Sequence, residues 1–484
     1  MASKDVQLMA HLMRRAGFGT SRERLDELVD QGYDETVEQM LDAVDHPSRF
    51  TDNLIRRYHS EYSGMMGNQS AGANWMYRMV STDAPLREKI GLMWHGMFAT
   101  GYSKLANGKV LHDQIRMFER HGMGSFKTLL IELSKDPAMI VWLDNSENHN
   151  GAINENYGRE LLELFSMGVG NYTEHDVKEA ARAFTGWTIG NTEYMTLKSM
   201  RDSVWPYGRL SFHFQYKADD HDNGEKEFLG HRGNLNGEDI VDIICKQPAA
   251  AAFLSRHMYS FFVADEPPVP EWPYKPPRDQ AAIDALSKVY FESDYNVTEM
   301  LRFLFKSDFF MSEDARYQRV KSPAELMAGV LRLTGEFDRP KIDMNPTHLQ
   351  ATYMGQWLLN PPSVEGWHWG TEWIDSGALV ERVNFASERL GNLDSPGVRT
   401  IVDRILSGNS GTLTAEALVG SALEELSINV VSDKTRSALI DFAKAQLDQP
   451  AAAPASGSEN GDAARKQVAN VLKLVGATPE FQRA

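Results

Sequence analysis

The sequence predicts an all-α protein, predominantly helical, built as a large single assembly or two helical lobes with long irregular loops and little strand. Three observations carry this. Apolar residues recur at spacings of three and four rather than two, good helix formers fill the stretches between Gly and Pro, and strand-like alternation is scarce. With 484 residues, 42% of them hydrophobic and 24% charged, the chain can bury a large core and has an ordinary globular composition.

Composition breaks divide the chain. Residues 1–264 form an N-terminal lobe carrying the candidate site, 265–278 a Pro-rich crossing, 279–448 a C-terminal lobe, 449–462 a flexible linker, and 463–484 a terminal helix that docks on the core. Within the first lobe, Asp83-Ala84-Pro85 opens a helix, with Ile90, Met93, Trp94 and Met97 on one face of the run Leu86 to Phe98. A second helix begins near Ile153 and stops at Gly168. Thr173 then caps a third, with the acidic Asp176 three places on.

From Ile189 to Asn236 the pattern breaks into Gly, Asp, Asn and aromatic residues, a long irregular excursion of the sort that is usually functional. Asp265 to Pro277 carries six prolines and cannot be helical. The final helix spans Ala463 to Val475. Its end, with Phe481, echoes the run Met300 to Phe310, which reads as a helix stopping in a turn whose Phe folds back onto the core.

Charge and cysteine narrow the chemistry. The 50 Lys+Arg against 67 Asp+Glu leave a net charge of -17, which argues against nucleic acid as a partner. The lone Cys245 excludes an internal disulfide and any cysteine-based metal centre, while histidine and carboxylate ligands remain open, so a divalent metal ion is admissible. No apolar run approaches the ~20 residues of a transmembrane helix. The N-terminus lacks a basic region followed by an apolar one, so the sequence as it stands reads as cytoplasmic.

The richest stretch for chemistry is Ile153 to Phe165. Ile153, Tyr157, Leu161 and Leu164 make its core stripe, with Asn156 and Glu160 at the border. A carboxylate at the edge of an apolar face is partly desolvated, which suits Glu160, or Glu155, to acid/base work. Glu155 and Arg159 also form an ordinary i,i+4 pair. On the next helix His175 and Glu179 share a face, with Arg182 one turn on, a spacing able to share a metal ion or form an acid/base couple.

His95, beside Trp94 on a helix apolar almost all round, should be buried or line a cleft. His221-Asp222-Asn223-Gly224-Glu225-Lys226 concentrates an imidazole, two carboxylates and a lysine around an Asn-Gly turn, and aspartate-rich turns bind hard cations. Trp357, Trp367, Trp369 and Trp373 crowd a Pro/Gly loop that suits either a flat ligand or a lid on the core. No phosphate loop, Gly-x-Ser-x-Gly elbow, His-Glu-x-x-His or dinucleotide fingerprint occurs.

Taken in order, His11-Leu-Met-Arg-Arg-Ala-Gly-Phe-Gly19, Trp94-His95, Asp136-Pro137-Ala138-Met139, Asn154-Glu155-Asn156-Tyr157-x-Arg159-Glu160, Thr185-Gly186-Trp187, His221-Asp222-x-Gly224-x-Lys226, Lys321-Ser322-Pro323, Val364-x-Gly366-Trp367 and Pro479-Glu480-Phe481 run through nearly the whole chain. In these motifs the sequence resembles the bacterial family catalogued as domain of unknown function 1800. The resemblance implies a predominantly helical protein, often exported and frequently paired with a sulfatase-like protein. One departure matters: the family usually reads Trp-His-x-His-Phe, and here Met97 stands in the second histidine's place.

The motif residues are mainly polar, types a core alone does not demand, and they point to a site. The leading expectation is an enzyme, hydrolytic or metal-assisted, acting on a carbohydrate-like or anionic substrate. Glu160, Glu155, His95 and His221 are the expected catalytic groups. Arg159, Arg182, Lys226, Trp187 and Trp367 would bind substrate, and Asp222, His175 and Glu179 would hold a metal. His95, Glu155, Glu160, Arg182, His221 and Asp222 should then converge on one cleft. The rival is a non-catalytic assembly or binding protein, acting with the sulfatase-like partner, whose charged motifs are ion-pair networks between helices.

Overall fold

The computed structural model describes residues 3–42, 67–190, 212–267, 274–408, 413–428, 430–448 and 459–484. Parts of the irregular excursion (191–211), of the proline crossing (268–273) and of the linker (449–458) lie outside the described residues. The protein is predominantly helical. The helix after Asp83-Ala84 runs Pro85–Met97 with proline in its first turn, where the missing N–H costs nothing. That helix is buried almost all round, Trp94 and Ile90 completely so.

Helix Asn156–Glu163 starts three residues later than Ile153. Its stripe of Tyr157, Leu161 and Leu164 is buried, and Ile153 is half-buried. It packs against helix Glu174–Ala183. Gly158 makes this possible, because a Cβ there would lie 2.9 Å from the Val177 carbonyl oxygen and 3.0 Å from the Ala181 nitrogen. Thr173 and Asp176 form a reciprocal capping box at the start of the second helix, satisfying two otherwise orphaned N–H groups.

Strand is confined to two small antiparallel pairs among the described residues, the first beginning at Trp187, two residues before the stretch the sequence leaves irregular, and the second within it. Trp187–Gly190 pairs with His213–Tyr216, and Lys226–Phe228 with His231–Gly233. Leu229 and Gly230 join the second pair, both with positive φ (45° and 79°), as a two-residue hairpin turn requires. Strands of three and four residues are too short to show a period, which is why the sequence hides them.

One connected hydrophobic cluster runs from Met9 to Phe481, and each fully buried Leu or Phe in it contributes about 2 kcal/mol. Helix Lys4–Arg15 ties distant parts of the chain to this core. Arg15 donates to the carbonyls of Val263 (2.7 Å) and Ala315 (3.1 Å), and Arg14 to that of Ser427 (2.8 Å). Glu325, itself in a capping box with Ser322 on helix Pro323–Thr334, accepts from Arg319 at 2.7 Å and from Lys89, all three being buried.

The last helix runs Glu459–Gly476, starting earlier than Ala463, and packs on helices Ser376–Leu390 and Asp433–Leu447. Beyond it Phe481 is buried, as is Phe310 in the echoing segment. No helix among the described residues is long and apolar enough to cross a membrane.

Candidate active site

A cavity of about 680 Å³ opens where several distant parts of the chain meet, among them Leu164, Arg278, Gln318 and Arg483. Met93, Gly96 and Met97 come from the end of the Pro85 helix, and Arg256, His257, Ser260 and Phe261 from helix Pro248–Phe262. Glu365 to Glu372 of the tryptophan loop close it. Small residues let these parts meet. A Cβ on Gly96 would come within 2.6 Å of the Trp369 ring, and one on Gly366 would strike the Gly96 carbonyl oxygen. Gly366 also has φ 83°, a region glycine occupies without strain. The pairing of Trp94-His95-Gly96 with Gly366-Trp367 is therefore a fitted joint between two motifs far apart in sequence.

Glu160 is not among the residues lining this cavity, but it lies close enough to the lining Glu365 to feel its charge. It is four residues before Leu164, which lines the cavity, and so shares its helix face. Its neighbour Arg159 is committed elsewhere, donating to Glu174 at 2.8 and 2.6 Å and to Glu155 at 3.3 Å. Glu163 accepts from the Tyr172 hydroxyl at 2.9 Å. No cation pairs with Glu160 among the described residues. Burial first, then the nearby Glu163 carboxylate, push its carboxyl up to about 7; Arg159 pulls the other way and Glu365 adds a smaller push. A half-buried carboxyl of this kind carries a proton near neutrality and can deliver it.

Histidines back the cavity rather than charge it. His95 is fully buried, its ring edge-on to Trp75 (5.5 Å between centroids) and to the cavity-lining Trp367 (5.2 Å). Neither of its ring nitrogens meets a hydrogen-bonding group among the described residues. Burial holds its pKa down at about 3, so the ring is neutral. His257, in the lining, is likewise held at about 3 by burial and by Arg256. Asp265 completes this wall, with its carboxyl raised by burial and its Oδ2 accepting from the Val320 N–H at 3.4 Å.

The remaining motif residues form a separate, internally satisfied group. Arg182 donates to Asp222 (2.7 and 3.3 Å), to Glu179 (2.7 Å) and to the Glu225 carbonyl (3.2 Å). Glu179 also accepts from the Glu227 N–H at 3.1 Å. Buried Lys226 donates to the carbonyls of Asp222 and Gly224, and His221 Nδ1 lies 2.8 Å from the Thr185 carbonyl oxygen. Trp187 is buried, with Nε1 on Asn236 at 3.1 Å and its ring against Phe184 and Phe214.

None of Arg182, Lys226, Trp187, His221, Asp222 and Glu155 lines the cavity, and of the expected site residues only Trp367 does. His175 is exposed, while both carboxylates expected to join it on a metal are spent on Arg182. Among the described residues no group of three or more His, Cys, Asp or Glu is placed to hold a metal ion. Of the six motif residues expected on one cleft, Arg182 and Asp222 meet in a charged clasp, and none lines the cavity. The clasp exists because the short hairpin has little core of its own and is held to helix Glu174–Ala183 by its charges.

Sequence reasoning passed over Glu365, His257 and Asp265. The signal for Glu365 was present, since it sits inside the tryptophan loop next to Gly366. His257 lies in a helix that reads as core, and Asp265 at the start of the proline crossing, so neither stands out.

Fold and cavity together define a helical protein with a pocket lined by carboxyls, basic side chains and tryptophans. The chain belongs to the family described as "Protein of unknown function (DUF1800)", whose model matches residues 11–483. No curated protein and no solved structure matches it.

Proposed function

We propose that the protein is a hydrolase working in this cavity, with Glu160 as the proton donor to the leaving group. The observation that carries the reading is an unpaired, half-buried carboxyl, raised to about 7, one helical turn before Leu164 in the lining of a 680 Å³ pocket. Trp367 and Trp369 give the pocket an aromatic wall, Ser260, Gln318 and Thr371 line it with neutral hydrogen-bonding groups, and Arg256, Lys275, Arg278 and Arg483 bring basic side chains to it. Such a lining suits a ring-bearing substrate, carbohydrate-like or anionic. His95 acts through Trp367, which it packs against, rather than as a proton carrier.

A general acid is tested by leaving-group dependence. Wild type and Glu160→Gln are compared on a panel of unactivated oligosaccharides and simple esters, and on their aryl counterparts with good leaving groups. The variant should lose about 100-fold or more on the unactivated substrates and much less on the activated ones. Equal losses on both, or none, would remove Glu160 from that role.

A second reading has its own observation. The Arg182 clasp is an internal ion-pair network, which favours an assembly or binding protein, working with the sulfatase-like partner that the resemblance implies. A pull-down that recovers that partner, together with no turnover by the wild type on either panel, would favour it.

A further inference from the structure

We infer that the cavity takes an acidic sugar, a saturated ring carrying an oxyanion, with the forked guanidiniums of Arg483 and Arg278 on the oxyanion and the Trp367 and Trp369 wall on the ring. The inference rests on the reading of this cavity as the substrate site, and it is tested by binding, so that it and the Glu160 reading fail separately. Four basic and four acidic side chains line the cavity, so their number does not choose the ligand's charge. Their partners do. Glu266 accepts the Arg278 backbone N–H on both oxygens (3.2 and 3.0 Å). Asp265 accepts that of Val320 and feels Arg319, Arg15 and Arg483 at once, one carboxylate among three cations. Glu365 and Glu372 are exposed, where water screens them. The two arginines rest on neutral carbonyls instead. Arg278 donates from Nη1 to that of Asp265 at 3.0 Å, and Arg483 from Nη1 to that of Tyr317 at 3.4 Å. Neither guanidinium pairs with a carboxylate among the described residues, and in each the rest of the fork is left for an oxyanion.

The charge behind the aromatic wall has the same sign. Buried Arg319 lies over the Phe261 and Trp369 rings (4.7 and 5.6 Å to the centroids) and buried Lys89 over Phe261 (5.7 Å), with Glu325 as their shared carboxylate. Arg15, also buried, donates to carbonyls. Buried charges are screened least, so this local excess of cations acts into the cavity although the chain as a whole carries -17. Arg483 is held ready for a ligand. Its backbone bridges Val320, another lining residue, and the following N–H, of Ala484, donates to the Arg319 carbonyl at 2.9 Å. A guanidinium on so fixed a backbone has less freedom to lose on binding. Trp367, Trp369 and Phe261 offer aromatic surface for the C–H face of the ring, and Ser260, Gln318 and Thr371 offer neutral partners for its hydroxyls.

The test is an NMR titration of the full chain with matched sugars: galacturonate against galactose, glucose 6-phosphate against glucose, and N-acetylglucosamine 6-sulfate against N-acetylglucosamine. Acetate, inorganic phosphate and inorganic sulfate serve as the ring-free anions. At least one charged sugar should bind about 10-fold or more tightly than both its neutral parent and its ring-free anion, and the pair that does so identifies the oxyanion. Arg483→Gln and Arg278→Gln keep the backbone contacts, so each should weaken that binding about 10-fold with the thermal midpoint unchanged, and Arg483→Lys should recover part. Equal binding of charged and neutral sugars, a ring-free anion bound as tightly as the sugar, charged-sugar binding unchanged in both variants, or no binding by any member overturns the inference. Glu160-dependent hydrolysis confined to neutral substrates also overturns it and leaves the Glu160 reading standing. Charged-sugar binding that needs Arg483, without turnover, sustains it and overturns the hydrolase.

Discussion

Arg182 donates from Nε to the Asp222 carboxylate at 2.7 Å, fastening the loop before strand Lys226–Phe228 to helix Glu174–Ala183. The same guanidinium satisfies Glu179, which is buried and also holds the Glu227 N–H. The pair is a clasp, and its loss should show as local opening.

Arg182→Ala therefore leaves a buried carboxylate without its cation and should cost about 2 to 3 kcal/mol, less than a fully buried pair because Arg182 is partly open to solvent. Hydrogen exchange should speed up at the Glu227 amide, and urea unfolding should begin earlier. Arg182→Lys should recover only part, since a lysine cannot reach Asp222 and Glu179 together in forked geometry. An unchanged urea midpoint in the alanine variant would show that the clasp contributes nothing.

Gly366→Ala places a methyl group against the Gly96 carbonyl oxygen and holds an L-residue at φ 83°. A loss of about 1 to 3 kcal/mol is expected, with the tryptophan loop displaced from the Pro85 helix. Near-ultraviolet circular dichroism should lose tryptophan signal while the helical far-ultraviolet signal is kept. Unchanged tryptophan signal and stability would mean the joint tolerates the methyl.

Glu325→Gln removes the carboxylate shared by the buried cations Lys89 and Arg319. Breaking a buried pair from one side costs about 3 to 5 kcal/mol. The guanidinium denaturation midpoint should fall accordingly, and a change below about 1 kcal/mol would contradict the packing described.

Acid sensitivity has a definite source. Burial holds His95 and His257 at about 3 and His348 at about 4 in the folded protein, while an unfolded chain takes up each proton near 6.5. Between those values the unfolded state binds more protons at these three rings, so each takes away up to about 1.4 kcal/mol per pH unit as pH falls from about 6.5 toward 4, while Glu88, Asp136 and Glu160, raised by burial to about 7, act in the opposite sense. His95→Leu should reduce proton uptake on unfolding at pH 5 by about one proton. Unchanged proton uptake on unfolding in His95→Leu would count against this assignment.

The helices were legible because their signals are local. Pro85 at a first turn, the Thr173 and Asp176 box, and the Tyr157, Leu161, Leu164 stripe each follow from a few neighbouring residues. Glu160 was legible for the same reason, lying at the border of that stripe. What the sequence hid depends on contacts across the chain. Whether Arg182 faces a ligand or Asp222, 40 residues away, is decided by how the hairpin folds back. Glu365 acquires meaning only when Gly366 meets Gly96, 270 residues distant by their numbering. Polar residues at motif positions suggest a site equally well whether they serve a substrate or each other.

Protonation of Glu160 is the property from which the proposed chemistry follows, and carboxyl carbon-13 NMR measures it directly, with the resonance assigned by its disappearance in Glu160→Gln. The account predicts a titration midpoint about 7, moving down in Glu365→Gln as the nearby negative charge is removed. A midpoint at the usual 4.5 would contradict it, because Glu160 would then be ionised at neutral pH with no proton to give.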